Sequence, residues 1–447
     1  MPDPEAKQHA LEDFARYVNP QKVRILRAAG LDIIEAYREG PWVWDLDGRR
    51  FLDCFTSAGS FNLGRRHPLV VAAMHEAVDR LDHGNFMLCS REKADLARKL
   101  AEIAPGDLSC VAFGTGGGEI IDFALKLCRG ATRRTKVVST VNGYHGHTGF
   151  ALSAAGRKAY RAPFEPLMAD FVQVPYGDLP AAEAAIDSET ACVLVEPVQG
   201  EGGVVVPPVT YLPGLRSACD AAGAMLVVDE IQTGFGRLGT WFACEHFGVV
   251  PDVITLAKSL GGSLVAISAA VFTEDLREFL IPNPFIHLST FGGSDLACAV
   301  ALAAISVMEE EGLVEHSASM GRILQEGLAS IAADYPDVVA EVRGIGMMAG
   351  LKFGEDSMGA RMSAALVRQG VLAIYSANEP TVMRLMPSLV VGPEEIELLL
   401  RAIRGALDEV VDGATAPRPG TVDSATASGG STGRPARPRR RPPRVGA

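Results

Sequence analysis

Five short stretches of this chain carry residue types that can do chemistry. In GYHGHTG (143–149), His145 and His147 stand one residue apart between glycines. A metal site would need further ligands at matched depth, and no nearby Cys, His or Asp grouping supplies that spacing, so no metal is expected. GTGGGE (114–119) follows the apolar CVAF and opens the helical EIIDFALKLCR. Its glycines let backbone approach a ligand and its first-turn N–H groups can face a phosphate, although a plain tight turn fits too. AMLVVDE (224–230) ends an apolar run with Asp229 and Glu230. A carboxylate there can hold a protonated ring nitrogen or merely cap a loop. DVITLAKSLGG puts Lys258 at the end of another apolar run. Desolvation lowers the pKa of such a lysine and frees its amine to attack a carbonyl, whereas a lysine snorkelling to solvent would do nothing. GFGRLG (234–239) matches GxGxxG. Five residues separate it from the preceding strand and no helix opens at its end, so a dinucleotide loop is not expected.

These stretches need a scaffold that brings them to one edge. Short apolar runs at 110–113, 136–140, 191–197, 224–230, 252–258 and 264–272 alternate with helical patterns. Such runs indicate a parallel sheet covered on both faces, with ligands at the carboxyl ends of its strands. The fold class expected is α/β, a large domain with a mostly parallel central sheet plus a smaller α+β domain. The boundaries read as follows. Residues 1–60 form an N-terminal segment that joins the small domain through a hairpin turning at Asp47-Gly48. Residues 61–315 form the large domain and 316–412 the small one. Residues 413–447 form a disordered tail of Pro, Gly, Ser, Thr, Ala and Arg.

Hydrophobic residues make up 48% of the 447 and charged residues 21%, enough to bury a sizeable core. The net charge is −12. Seven Arg and one Asp after residue 412 mean that the preceding chain carries about −18, which argues against a nucleic-acid surface. The N-terminus lacks a signal-peptide core, and the longest nearly apolar run, Leu296–Met308, is too short to span a bilayer. Eight scattered cysteines without a CxxC suit a reduced compartment, so a cytoplasmic location is expected.

A phosphate loop, an acid for a pyridinium nitrogen and a Schiff-base lysine, in that order on a parallel sheet, suit pyridoxal 5'-phosphate. At these residues the chain resembles the class III pyridoxal-phosphate aminotransferases, which include ornithine, acetylornithine, putrescine and ω-amine transaminases. The resemblance runs from about Gly40 to Val411 through DGRRFLDC, NLGRRHP, GTGGGE, YHGHT, EPVQGEGG, VVDEIQTGFGRLG, PDVITLAKSLGG, TFGGSDLACA and MRLMPSLVVGPEEI. It implies fold type I and a homodimer with shared active sites. It implies that Lys258 holds the cofactor and shuttles a proton, and that Asp229 pairs with the pyridine nitrogen. Gln232 would lie near the phenolic oxygen, Tyr144 would stack on the ring, and His145 would support that turn. Gly116, Gly117 and Gly118 would meet the phosphate, with Thr290 reaching it from the neighbouring subunit. Glu196 falls within the cofactor site.

Two departures from the family pattern stand out. Gly116 and Ile121 replace a usual Ser and Asn around the phosphate loop. His147 stands where ornithine and acetylornithine enzymes carry an Arg that clamps a substrate carboxylate. Arg384 matches the arginine for the α-carboxylate, and Glu201 the glutamate that pairs with it when no carboxylate is present. The expected activity is therefore ping-pong transamination between an α-amino/α-keto acid pair and an amine or aldehyde lacking a distal carboxylate. An aminomutase, racemase or decarboxylase would share the same cofactor residues.

Overall fold

The computed structural model describes residues 2–413. The tail expected from residue 413 onward therefore lies almost wholly outside the described residues.

A seven-stranded sheet forms the centre. Its strands lie in the order Cys110–Gly114, Ser268–Phe272, Val253–Leu256, Met225–Asp229, Thr190–Val195, Lys136–Thr140 and Phe171–Val174. Six run parallel, and Ser268–Phe272 runs antiparallel to both of its neighbours. The sheet is thus mostly parallel, as expected, with one reversed strand. Eleven residues separate Leu256 from Ser268, and they hold only a 3-10 turn over Lys258–Gly261. A parallel return needs a crossover of a dozen residues or more, so the chain turns back on itself.

The strands are apolar on both faces because helices cover both. Every residue of Thr190–Val195 is buried. The helix Tyr211–Ala222 links that strand to Met225–Asp229 and stops at Gly223, whose φ of +64° supplies the left-handed terminus. The helix Gly117–Thr132 buries Ile120, Ile121, Phe123, Ala124, Leu125, Leu127 and Cys128. Asp295–Glu310 is a helix capped by Ser294 and buries Ala297, Val300, Ala301 and Ile305.

Two smaller sheets flank this centre. Trp42–Asp45 and Arg50–Asp53 form the hairpin around Gly48, and Arg50–Asp53 pairs in parallel with Val371–Leu372 from the far end of the chain. The other sheet, Val339–Ile345, Met348–Phe353, Val382–Leu385 and Ile374–Tyr375, is antiparallel throughout. Val382–Leu385 carries Arg384. Among the described residues no helix is long and apolar enough to cross a membrane.

Candidate active site

The carboxyl ends of the parallel strands open onto one cavity of about 500 Å³. Five of the six parallel strands each deliver a different group to it. Cys110–Gly114 delivers Thr115 to Gly118, Lys136–Thr140 delivers Tyr144 to Gly146, and Thr190–Val195 delivers Glu196 and Glu201. Met225–Asp229 delivers Asp229 and Gln232, and Val253–Leu256 delivers Lys258. The antiparallel strand enters the sheet at this same edge, so Ser263–Ile267, just before it, also line the cavity. Sequence reading did not assign those five residues. The only local signal for them was the glycine pair Gly261-Gly262.

Alternation along the strand separates the two acids of AMLVVDE. Asp229 is buried, and its Oδ2 lies 2.7 Å from His145 Nδ1. Its Oδ1 accepts from Ile231 N at 3.1 Å. Glu230 points away and accepts from Thr233 Oγ1 and Cys244 N, which is the capping role. Burial acts to lower the His145 pKa, but the hydrogen bond and charge of Asp229 outweigh it and hold it above the usual imidazole value. His145 and His147 do not form a pair. His145 is buried, whereas His147 is exposed and stands outside the cavity lining, edge-on to Tyr144 at 5.4 Å and to Tyr160 at 5.3 Å.

Lys258 sits at φ +44°, in the left-handed region. A non-glycine residue held there costs about 1–3 kcal/mol and marks a position that its surroundings over-determine. Burial lowers its pKa, while the charges of Glu201, Asp229 and Glu196 pull it the other way. Gly116–Gly118 form an uncapped helix start, where among the described residues no side chain takes the first-turn donors. A Cβ at Gly116 would meet nothing within 4 Å, whereas one at Gly118 would meet Thr148 Oγ1 at 2.9 Å. Position 116 therefore has room for a side chain and lacks one. Ile121, at the other departure, is buried in the core.

Glu196 ties two loops together. It accepts from Tyr144 N at 2.9 Å and from Gly200 N at 3.3 Å. Burial pushes its carboxyl up to about 7. Gln232 donates to Ala58 O at 2.9 Å, within a strained turn whose residues Thr56, Ser57, Ala58 and Gly59 all have positive φ. From this turn and its continuation, Ser57, Ser60 and Phe61 reach the cavity. Phe86 faces a separate depression beside His287 and Leu288.

Arg384 is buried and its Nη1 donates to Glu201 Oε1. Burial would raise the Glu201 pKa, but Arg384 and Lys258 hold it below the usual value. Thr290 is exposed and does not line the cavity of its own chain. In GFGRLG, no helix opens at Gly239, and the short helix Ala243–His246 starts only four residues on. Arg237 is instead fully buried, donating to the carbonyls of Met347 and Pro387 and to Asn62 Oδ1.

The chain matches the family described as aminotransferase class-III over residues 29–407. It is 45% identical to a protein of Archaeoglobus fulgidus named uncharacterized aminotransferase, over 90% of this chain and 94% of that one. It is 36% identical to putrescine aminotransferase of Pectobacterium atrosepticum, over 90% and 89%. Among solved structures, an (S)-enantioselective omega-transaminase from Thermomicrobium roseum superposes with a TM-score of 0.84 at 31% identity, over 91% and 99% of the two chains. Ornithine aminotransferase from Toxoplasma gondii gives 0.84 at 29%, over 91% and 96%.

Proposed function

The chain belongs to the class III aminotransferases, enzymes that use pyridoxal phosphate, and from that premise we propose that it runs a ping-pong exchange between an α-amino acid and an amine. The residues fit the cofactor. Gly116–Gly118 offer unclaimed backbone donors for its phosphate, Tyr144 a ring face, Asp229 an anion for the pyridine nitrogen, and Lys258 a desolvated amine. When bound, pyridoxal phosphate supplies an aldehyde for the substrate amine and a ring that accepts the electron pair released at Cα. Lys258 would take the proton from Cα and return it. Asp229, braced by His145, would keep the ring nitrogen protonated.

The buried Arg384–Glu201 pair carries the substrate reading. An α-carboxylate would displace Glu201 and dock on Arg384. An amine without a carboxylate would leave the two paired, so one pocket would serve both half-reactions. A donor screen tests this. The yellow enzyme is mixed with α-amino acids and with amines one at a time, and loss of its visible band marks a donor. Both classes are expected to react. Response to neither would overturn the reading.

Two substitutions probe the departures. Gly116→Ser places a hydroxyl in the open space at the phosphate cradle. It is expected to tighten pyridoxal phosphate about fivefold, by roughly one hydrogen bond, read from cofactor titration of the apoenzyme. His147→Arg adds a guanidinium beside Tyr144 and Tyr160. It is expected to raise kcat/KM for donors with a distal carboxylate by tenfold or more, on the scale of one charge-assisted pair. An unchanged ratio to simple amines would show that the position does not govern acid recognition.

The chain is also proposed to act as a homodimer. Phe86, Met87 and Leu88 are exposed beside Phe285, Ile286, Leu288 and Phe291, an apolar patch that includes the neighbours of Thr290. His83 and Phe291 join the two segments by ring contact at 5.1 Å. Light scattering is expected to give twice 47.3 kDa, and Leu288→Arg to halve it. A monomeric but fully active Leu288→Arg variant would remove Thr290 from the site.

A further inference from the structure

Glu201 has a second holder besides Arg384. Its Oε2 accepts from Ala377 N at 3.2 Å, and its backbone oxygen accepts from Asn378 N at 3.0 Å. Ala377 and Asn378 belong to the turn between Ile374–Tyr375 and Val382–Leu385, the strand that carries Arg384. The glutamate is thus gripped from two sides of one small sheet.

That turn is tied in its own right. Arg157 Nη1 donates to Ala377 O and stands 3.4 Å from Asn378 Oδ1. Asn378 Nδ2 donates to Asn142 O at 3.0 Å, and Ser376 Oγ reaches Gly200 O at 3.4 Å. The Arg157 guanidinium also lies over the Tyr160 ring, 5.5 Å from its centre. Asn142 shares the loop of Tyr144, and Arg157 follows the short helix Gly149–Ala154 that comes after it. A strap therefore joins the ring-stacking segment, the 376–378 turn and Glu201.

We propose that Arg157 is a positioning residue for substrate selection, which holds the Ala377 N–H against Glu201 and so keeps Glu201 paired with Arg384 until a carboxylate arrives. The proposal rests on the dual-substrate reading above. Without Arg157, Ala377 drifts and Glu201 loses one of its two side-chain anchors. Arg384 is then easier to unmask. Carboxylates gain, and amines without a carboxylate lose the neutral pocket they need. Arg157 touches neither the cavity nor the reacting atoms, so proton transfer itself is unaffected.

Propionate, a carboxylate without an amine, is the probe. Its Kd is measured by calorimetry on the apoenzyme and on the loaded enzyme. Glu201→Gln and Arg157→Ala are each expected to bind it about tenfold tighter than wild type, on the scale of one or two lost competing hydrogen bonds. Arg157→Lys, which keeps a donor for Ala377 O, is expected to stay near wild type. The double variant is expected to bind no tighter than Glu201→Gln. General loosening of the fold would weaken propionate, so tightening separates positioning from damage. If Glu201→Gln tightens propionate and Arg157→Ala does not, the strap has no role. If Glu201→Gln itself changes nothing, the switch beneath the proposal falls as well.

Discussion

Lys258→Ala is expected to lower transamination at least 10³-fold, because in the proposed mechanism it removes both the amine that would hold the cofactor and the base at Cα. The physical case begins with the backbone. Lys258 follows the buried strand Val253–Leu256 directly after Ala257 and takes φ +44°. Several bonds hold that conformation. Ser259 Oγ donates to Gly59 O at 2.9 Å, Leu260 N to Ala257 O at 3.0 Å and Gly262 N to Ser259 O at 3.0 Å. They belong to neighbouring residues, so alanine leaves them intact and the strain at 258 unchanged. Burial lowers the lysine's pKa, which makes the free amine easier to form. Arginine cannot replace it, since a guanidinium does not deprotonate. Lys258→Arg should be as inactive as Lys258→Ala, with both variants melting within a few degrees of wild type. More than a tenth of the wild-type rate in either would exclude Lys258 as the catalytic amine.

Lys258 and Asp229 were legible in the sequence as cavity residues because a charged residue ending a long apolar run conflicts with burial. The glycines at 116–118 were legible through the strand before them and the helix after. Other features were not, for physical reasons. Ser268–Phe272 has the composition of any buried strand, and only the length of the preceding link sets its direction. The turn at Thr56–Gly59 carries no local signature, since three of its four left-handed residues are Thr, Ser and Ala. It is imposed from outside, by Thr56 Oγ1 on Met386 O, Gln232 on Ala58 O and Ser259 on Gly59 O. Arg237 hid within a misleading glycine pattern. Its guanidinium is held by two carbonyls and an amide from distant segments, with burial pushing its pKa down to about 9. No spacing rule in one sequence anticipates such a clasp. The strap through Arg157 is of the same kind, with partners 220 and 221 residues away.

Asp229→Asn is expected to cost about 10²–10³ in turnover, the scale of removing one preorganised charge from a developing electron sink. The substitution is nearly isosteric. Asparagine keeps an acceptor for Ile231 N, now at 3.1 Å, but presents no charge to the ring nitrogen or to His145. Stability supplies a second readout without substrate. In wild type the His145 pKa is raised above 6.5 chiefly by the bond and charge of Asp229, against the opposing effect of burial. A raised folded pKa contributes stability that is full below the unfolded value and is lost as pH rises through the folded one. Wild-type apoenzyme should therefore exceed Asp229→Asn in melting temperature most at pH 6, with the gap narrowing towards pH 8.5. His145→Ala should close most of that gap, while leaving more activity than Asp229→Asn because the carboxylate itself remains. The order of effects matters more than their size. If His145→Ala proved the more damaging of the two to turnover, the imidazole rather than the carboxylate would face the ring nitrogen, and the roles of this buried pair would have to be exchanged.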